Sequence, residues 1–178
     1  MLADANVFML VFRFLHIVFG AAWLGSAFLF VAIIGPSAAE VGPAALPLLS
    51  VAVKKKKVHM VITYLGMVTV TAGWILWLRN LSTYDWSLGD WLGTTFGLVL
   101  TIGGVIATAT FFVGFLGVGR NVERMVDLGE EIHASGGPPT PEQGAAMAKI
   151  QGDLEKFGKI DLLLLLLAVT AMSTARYW

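Results

Sequence analysis

Four long apolar segments divide the chain, and the stretches between them carry most of its charged residues. The segments cover residues 7–34, 58–78, 91–118 and 160–177, and the last contains six consecutive leucines. Each approaches or exceeds the roughly 20 residues that a helix needs to cross about 30 Å of hydrocarbon. Because lipid cannot satisfy backbone polar groups, such runs predict helices rather than strands. The pattern therefore predicts an all-α polytopic membrane protein, with a four-transmembrane-helix bundle formed as one domain by residues 1–178.

Composition supports a chain that is solvated largely by lipid. Hydrophobic residues make up 57% of the sequence and charged residues 13%, against about 25% charged residues in soluble domains. We therefore expect the lipid bilayer as a partner, and the net charge of zero gives no reason to expect nucleic acid. The absence of cysteine excludes thiolate metal sites and covalently attached haem. No basic region precedes the first apolar segment, which predicts a retained helix and not a signal peptide.

The distribution of basic residues predicts the orientation of the chain. They concentrate in the first and third connections, at Lys54, Lys55, Lys56, Lys57, Arg120, Arg124, Lys149, Lys156 and Lys159. The positive-inside rule places these connections in the cytoplasm and both termini on the non-cytoplasmic side of a bacterial inner membrane. On that outer side we expect a belt of interfacial aromatic residues, formed by Tyr84, Trp86, Trp91, Tyr177 and Trp178.

The third connection, residues 119–159, predicts a cytoplasmic helical hairpin. Apolar residues recur there in alternating steps of three and four on both sides of a Gly-Gly-Pro-Pro turn, the spacing of a packed helix pair. Thr140 and Pro141 fit the cap and first position of the returning helix. The hairpin is either a solvated extension of the bundle or a docking surface for a partner.

One stripe of the first segment carries the best candidate for chemistry. Arg13, His16, Gly20, Trp23 and Ala27 follow one another in steps of three and four residues, so they share a helix face. A charge at mid-bilayer costs at least about 2.5–3.5 kcal/mol, so this stripe is expected to face the bundle interior or a cofactor. Arg13 would bind an anionic group such as a haem propionate, or else pair with Asp4 or lipid phosphate.

Other candidate ligands lie in the second and fourth segments. Met67 and Met172 are expected near the level of His16, where they would complete a haem or Cu(I) site or simply pack. His59 is a second candidate metal ligand, but it lies roughly 15–20 Å from His16 along the membrane normal. The two histidines therefore do not share one haem. His59 is expected to hydrogen-bond Asp161, as a structural contact or as a proton entry point.

Glycines recur on the helix faces of the second and third segments. Gly66 and Gly73 share a face with His59, and Gly93 and Gly97 form a GxxxG pattern. Small residues allow close helix packing, which is the favoured interpretation. A flat macrocycle lying against the helices is the alternative.

The first segment resembles a known group of proteins. Its R-x-x-H-x-x-x-G-x-x-W-x-G pattern, at Arg13, His16, Gly20, Trp23 and Gly25, resembles the first helix of small four-helix bacterial membrane proteins. That group includes copper-resistance-D-like proteins, the membrane domain of cytochrome-c-linked urate oxidases and a haem-binding protoporphyrinogen oxidase. The resemblance implies that His16 is a haem or metal ligand. The chain departs from the group in lacking a mid-helix lysine, a downstream arginine cluster, a soluble cytochrome domain and a methionine-rich copper relay.

The functional expectation follows from the stripe and the resemblance together. We expect an inner-membrane protein that binds b-type haem, or less favourably copper, through His16 for electron transfer or for metal or haem handling. The alternative is a non-catalytic structural or accessory subunit of a larger membrane complex, with a second copy or other membrane subunits as partners. A transporter is disfavoured because no acidic pair lies at mid-membrane.

Overall fold

A computed structural model describes residues 6–177, and this part of the chain is helical almost throughout, with no strand. Four helical stretches are long and apolar enough to cross a membrane: Val7–Lys55, Val58–Tyr84, Thr95–Ala134 and Pro141–Tyr177. The described residues form eight α-helices: α1 (Val7–Leu29), α2 (Gly35–Val41), α3 (Leu46–Ser50), α4 (Val58–Leu81), α5 (Leu88–Gly93), α6 (Thr95–Phe112), α7 (Arg120–Ala134) and α8 (Pro141–Thr174). Of these, α5 lies between the second and third stretches. The prediction of an all-helical chain with four such stretches is confirmed.

The first stretch runs further than the apolar pattern predicts. A π-helical turn, Phe30–Ile34, follows α1, and short helical pieces then continue to Lys55. Pro36 lies in the first turn of α2, and its missing N–H and bulky ring disturb the preceding helical ladder, which accounts for the wide turn. Gly42 ends α2 with a φ of 67°, a conformation that suits glycine.

The third apolar segment, residues 91–118, is interrupted near its start, although the sequence predicts one helix from residue 91. Thr94 is extended and separates α5 from α6. Its hydroxyl accepts a hydrogen bond from Gly97 N at 3.0 Å, so Thr94 caps the start of α6. Gly93 has open space around it, whereas Gly97 lies against Trp91 of the same segment. The GxxxG pattern is therefore not a helix–helix contact here, and Gly97 instead permits a tight local turn.

The predicted helical pair after residue 119 is present as α7 and the first part of α8. Between Thr140 and Gln143 the structure has two reciprocal hydrogen bonds, from Thr140 N to Gln143 Oε1 and from Gln143 N to Thr140 Oγ1. This is a capping box. The expected cap at Thr140, with Pro141 as the first helical residue, is confirmed.

The chain divides into two compact units. In the unit formed by residues 1–24, 64–111 and 163–178, α4 packs against α6 through hydrogen-bonded tryptophans. Trp74 Nε1 donates to Thr108 Oγ1 at 2.9 Å, and Trp77 Nε1 donates to Thr101 Oγ1 at 2.7 Å. Trp91 Nε1 shares Thr101 as acceptor at 3.2 Å. Thr101 therefore joins two indole rings in the interior of this unit.

The aromatic residues that the sequence assigns to an outer belt differ in exposure. Trp86 and Tyr177 are exposed, but Trp91 is only 1% exposed and packs edge-on against Trp77, Tyr84 and Phe96. The assignment of Trp91 to the interfacial belt is therefore wrong, because the turn at Thr94 folds its ring inward. Trp178 lies outside the described residues.

The shared acceptor gives a stability prediction. Thr101→Val keeps the shape of the side chain but leaves two indole N–H groups without an acceptor. We expect destabilisation of about 1–2 kcal/mol, measured by thermal unfolding in detergent. Thr170→Val is the matched control, because both hydroxyls donate to the carbonyl four residues earlier but Thr170 is exposed and receives no indole. Equal unfolding temperatures for the two variants would contradict the role given to Thr101.

In the second unit, residues 25–63 and 112–162, the pieces after α1 pack onto α7. Leu46 lies against Gly129, and Lys54 forms ion pairs with Asp127 at 2.9 Å and Glu130 at 2.5 Å. Ser50 also hydrogen-bonds Glu130. Glu130 lies beyond the apolar part of its helical stretch, and Lys54, then Ser50, hold the pKa of its carboxyl below the ordinary value.

Candidate functional site

The stripe on α1 faces the interior of its unit except at its outer end. Trp23 is 4% exposed and His16 and Gly20 are half-buried, whereas Arg13 is exposed. His16 fits the expectation that the stripe faces the bundle interior, because its ring packs against α4. Arg13 forms no ion pair or hydrogen bond within residues 6–177. Asp4, its expected partner, lies outside the described residues.

The imidazole of His16 is held in one orientation by α4. Its Nδ1 lies 2.8 Å from the backbone carbonyl oxygen of Thr69. A carbonyl only accepts hydrogen bonds, so Nδ1 carries a proton, and in the neutral imidazole Nε2 then carries the lone pair. Within residues 6–177, Nε2 has no hydrogen-bond partner. Metal-bound histidines commonly use their second nitrogen in this way, to fix the tautomer and the direction of the ring.

Gly73 provides the space for this ring. A Cβ at Gly73 would lie 2.8 Å from His16 Cε1 and 2.9 Å from Nδ1, but 3.8 Å from Nε2. The first two distances are below van der Waals contact, so any side chain at Gly73 would displace the imidazole. Of the two ring nitrogens, Nε2 is the one farther from Gly73.

Gly20 and Trp23 hold α1 against α4 instead of forming a cavity. A Cβ at Gly20 would lie 3.2 Å from Thr69 Cγ2, and one at Gly66 would lie 2.9 Å from Trp23 Cε2. Large and small residues thus alternate along the two antiparallel helices. The packing interpretation of these glycines is supported, and the cofactor-binding roles predicted for Gly20 and Trp23 have no contact that distinguishes them from packing.

The structure does not bring the candidate methionines to His16. Met67 is 47% exposed and lies two residues from Thr69, which places it on roughly the opposite side of α4. Met172 packs against α6, where its Cγ lies 3.0 Å from the Cβ position of Gly103. The prediction that Met67 completes a site with His16 therefore has no contact to support it, since helical periodicity turns Met67 away from Thr69. Met172 contacts a different helix from the one that holds His16.

His59 does not meet Asp161, so that prediction is also wrong. Its Nε2 lies 2.7 Å from Glu123 Oε1, although neither ring nitrogen has a partner in hydrogen-bond geometry. Asp161 lies instead beside Gly114, nine residues and roughly 13 Å of helix away from Glu123. His59 lines a pocket of about 360 Å³ together with Val53, Lys54, Lys57, Met60, Glu123 and Asp127.

No metal cluster is formed by the described residues. Within residues 6–177 there is no group of three or more histidine, aspartate or glutamate side chains that could hold a metal ion. His59 with Glu123 supplies two donors at most, and His16 supplies one nitrogen. A site at His16 therefore needs a group that brings its other ligands with it.

Comparisons with known proteins identify no relative of this chain. No protein-family model, no curated protein and no solved structure matches this chain. The resemblance of the first helix to copper-resistance-D-like proteins stays a prediction, and the function rests on the geometry of the residues themselves.

Two residues that matter to these contacts were missed at the level of sequence. Thr69 completes a stripe of small residues with Gly66 and Gly73, in steps of three and four, and this spacing would have revealed it. Glu123 lies in the first turn of α7. Only the packing of α7 beside the start of α4 identifies it as the partner of His59.

Proposed function

We propose that this chain is a multi-pass membrane protein that binds b-type haem through Nε2 of His16. The observation that supports the proposal is the hydrogen bond from His16 Nδ1 to the Thr69 carbonyl. It fixes the neutral tautomer, and Gly73 leaves room for the ring. The imidazole that would hold the haem is thus oriented by α4 before any group is bound.

A single nitrogen donor suits haem better than copper. The porphyrin brings four ligands to its own iron, and one proximal histidine completes many haem sites. A copper ion takes its ligands from the protein, and residues 6–177 form no group of three or more histidine, aspartate or glutamate side chains that could hold it. Copper is therefore the less favoured ligand.

The chain's own residues would orient and shield the bound group. Thr69 and Gly73 set the direction of the imidazole, and exposed Arg13, one helical turn from His16, would bind an anionic propionate. When bound, haem would supply one-electron redox chemistry. Electron transfer or haem handling is the activity class that this arrangement supports. The absorption spectrum of the purified protein tests the proposal.

The alternative is a non-catalytic accessory subunit of a larger membrane complex. In that case His16 and Thr69 form a structural hydrogen bond between α1 and α4. A protein that stays colourless when haem is supplied, and that co-purifies with other membrane subunits in fixed ratio, supports this alternative.

We also propose that the second unit faces the cytoplasm of a bacterial inner membrane. Nine of the twelve lysines and arginines lie in that unit, and the other three, Arg13, Arg79 and Arg176, lie in the first. The positive-inside rule then places the turn between α7 and α8 in the cytoplasm, as a cytoplasmic hairpin, and both termini outside.

Orientation is directly testable because the chain has no cysteine. Gly89 and Gly137 are both exposed, and a Cβ at either position would meet nothing within 4 Å. We expect a membrane-impermeant thiol reagent to label Gly89→Cys in intact spheroplasts. Gly137→Cys should be labelled only after the membrane is permeabilised. The reverse pattern would overturn the orientation without affecting the haem proposal.

A further inference from the structure

Asp161 is a buried acid that plays no part in the His16 site. It lies in α8, immediately before the six leucines 162–167, and is only 6% exposed. Its Oδ1 has no hydrogen-bond partner among the described residues. That oxygen lies 2.9 Å from the Cβ position of Gly114, so the carboxyl group is pressed against the backbone of the opposite helical turn.

No basic side chain compensates Asp161 within residues 6–177. The π-helical segment Val113–Gly119, which carries Gly114, has no ionisable residue. Neither does Phe30–Ile34, whose Val31 packs against Gly158 one turn earlier on α8. Lys159, the nearest charged residue along the chain, and His59 both have other partners.

Two ion pairs account for those groups. On α8 itself, Lys159 pairs with Glu155 at 2.5 Å. His59, which the sequence suggested as the partner of Asp161, contacts Glu123 at 2.7 Å instead. No ion pair involves Asp161 in the described part of the chain.

A carboxylate in this position needs something that removes its charge. Burial of an ionised group without a partner is costly, because neither water nor a counter-ion stabilises it. A divalent metal would require about six oxygen ligands, and the described residues form no acidic cluster around Asp161. A proton needs one oxygen and no coordination shell.

We propose that Asp161 is a proton-binding site within the helices of this protein. In the described arrangement, the carboxyl group holds a proton while it lies against the backbone at Gly114. The inference is independent of the haem proposal, since Asp161 and His16 belong to different units. An ionisable residue inside an apolar helix is typical of proton-transferring membrane proteins.

Infrared spectroscopy of the full-length protein in lipid vesicles tests the proposal. At about pH 7, where an exposed aspartate has lost its proton, we expect the C=O stretching band of a protonated carboxylic acid. The band should shift in heavy water and disappear in Asp161→Asn. It should persist in Asp153→Asn, the matched control, because Asp153 lies on the same helix but is only half-buried.

Each other outcome overturns the inference. A wild-type spectrum without the band, or a band that survives Asp161→Asn, excludes a proton on this residue. Carboxylate bands that shift on addition of sodium chloride but not choline chloride would assign the site to a monovalent cation instead. If Asp161→Asn fails to fold, isotope-labelled aspartate in the wild-type chain replaces it. A protonated band that does not move with that label contradicts the proposal.

Discussion

The His16→Ala variant is expected to lack the Soret band that we expect of the unchanged protein after expression with haem supplied. The reason is that His16 Nε2 is the only candidate axial nitrogen on the stripe of α1, and its direction is fixed by the Thr69 carbonyl. Without the imidazole, the iron loses the nitrogen ligand that the proposal assigns to it. Absorption spectra and pyridine haemochrome assays of purified protein measure the loss.

The comparison is meaningful only if the variant stays folded. The lost hydrogen bond contributes about 0.5–1.5 kcal/mol, which is too little to unfold a stable bundle, so the elution profile and helical circular dichroism should be unchanged. His133→Ala is the matched control, because His133 is exposed near the turn between α7 and α8. A Soret band that survives in His16→Ala, or wild-type protein that never binds haem, contradicts the proposal.

A second variant distinguishes a His16 that binds haem from a His16 that has only a structural role. Gly73→Ala adds one methyl group that would lie 2.8 Å from His16 Cε1, so the imidazole must move while its chemistry is retained. We expect a weakened or shifted Soret band. Gly25→Ala is the control, since a Cβ there meets nothing within 4 Å. If haem content is the same in both variants, the position of the His16 ring does not determine haem binding.

The long-range pattern of apolar residues predicts most of the helical content correctly. Hydrophobic runs of this length have few alternatives to helix, and local signals such as Thr140 followed by Pro141 fix a helix start because the capping bonds are made within one turn. The prolines at 36, 43 and 47 had a less obvious effect. They begin new short helices instead of ending the helical stretch, as proline in a first turn permits.

Contacts between helices were predicted less well, since they depend on rotation and register. The level of Met67 along its helix predicts that it lies near His16. Its direction, however, is set by helical periodicity relative to Thr69. His59 meets Glu123 and not Asp161, because α7 extends the third helical stretch beside the start of α4. The alternation of large and small residues on α1 and α4 was visible in sequence. Which glycine receives His16 is a matter of register, which only the structure provides.

The Gly97→Ala variant is expected to be strongly destabilised. A Cβ at Gly97 would collide with the carbonyl oxygen of Trp91 and lie 2.7 Å from its ring atom Cδ2. The backbone of the turn must therefore move, and Trp91 is joined to Trp77 through Thr101. Overpacking typically costs 1–3 kcal/mol, and with a rigid backbone as the obstacle we expect about 3 kcal/mol. This corresponds to a fall in unfolding temperature on the order of 5–10 °C.

Gly93→Ala is the control that distinguishes a tight turn from a helix-packing motif. A Cβ at Gly93 meets nothing within 4 Å, and alanine is favoured over glycine in a helix by about 0.5–1 kcal/mol. Thermal unfolding in detergent, followed by tryptophan fluorescence, should therefore show no loss or a slight gain for Gly93→Ala. In a GxxxG contact both glycines face the neighbouring helix, so equal losses at the two positions would refute the turn and restore the packing motif. A loss of stability confined to Gly97→Ala would show that the second glycine of such a pattern can be required by contacts within its own segment. At Gly97 that contact is with the buried indole of Trp91.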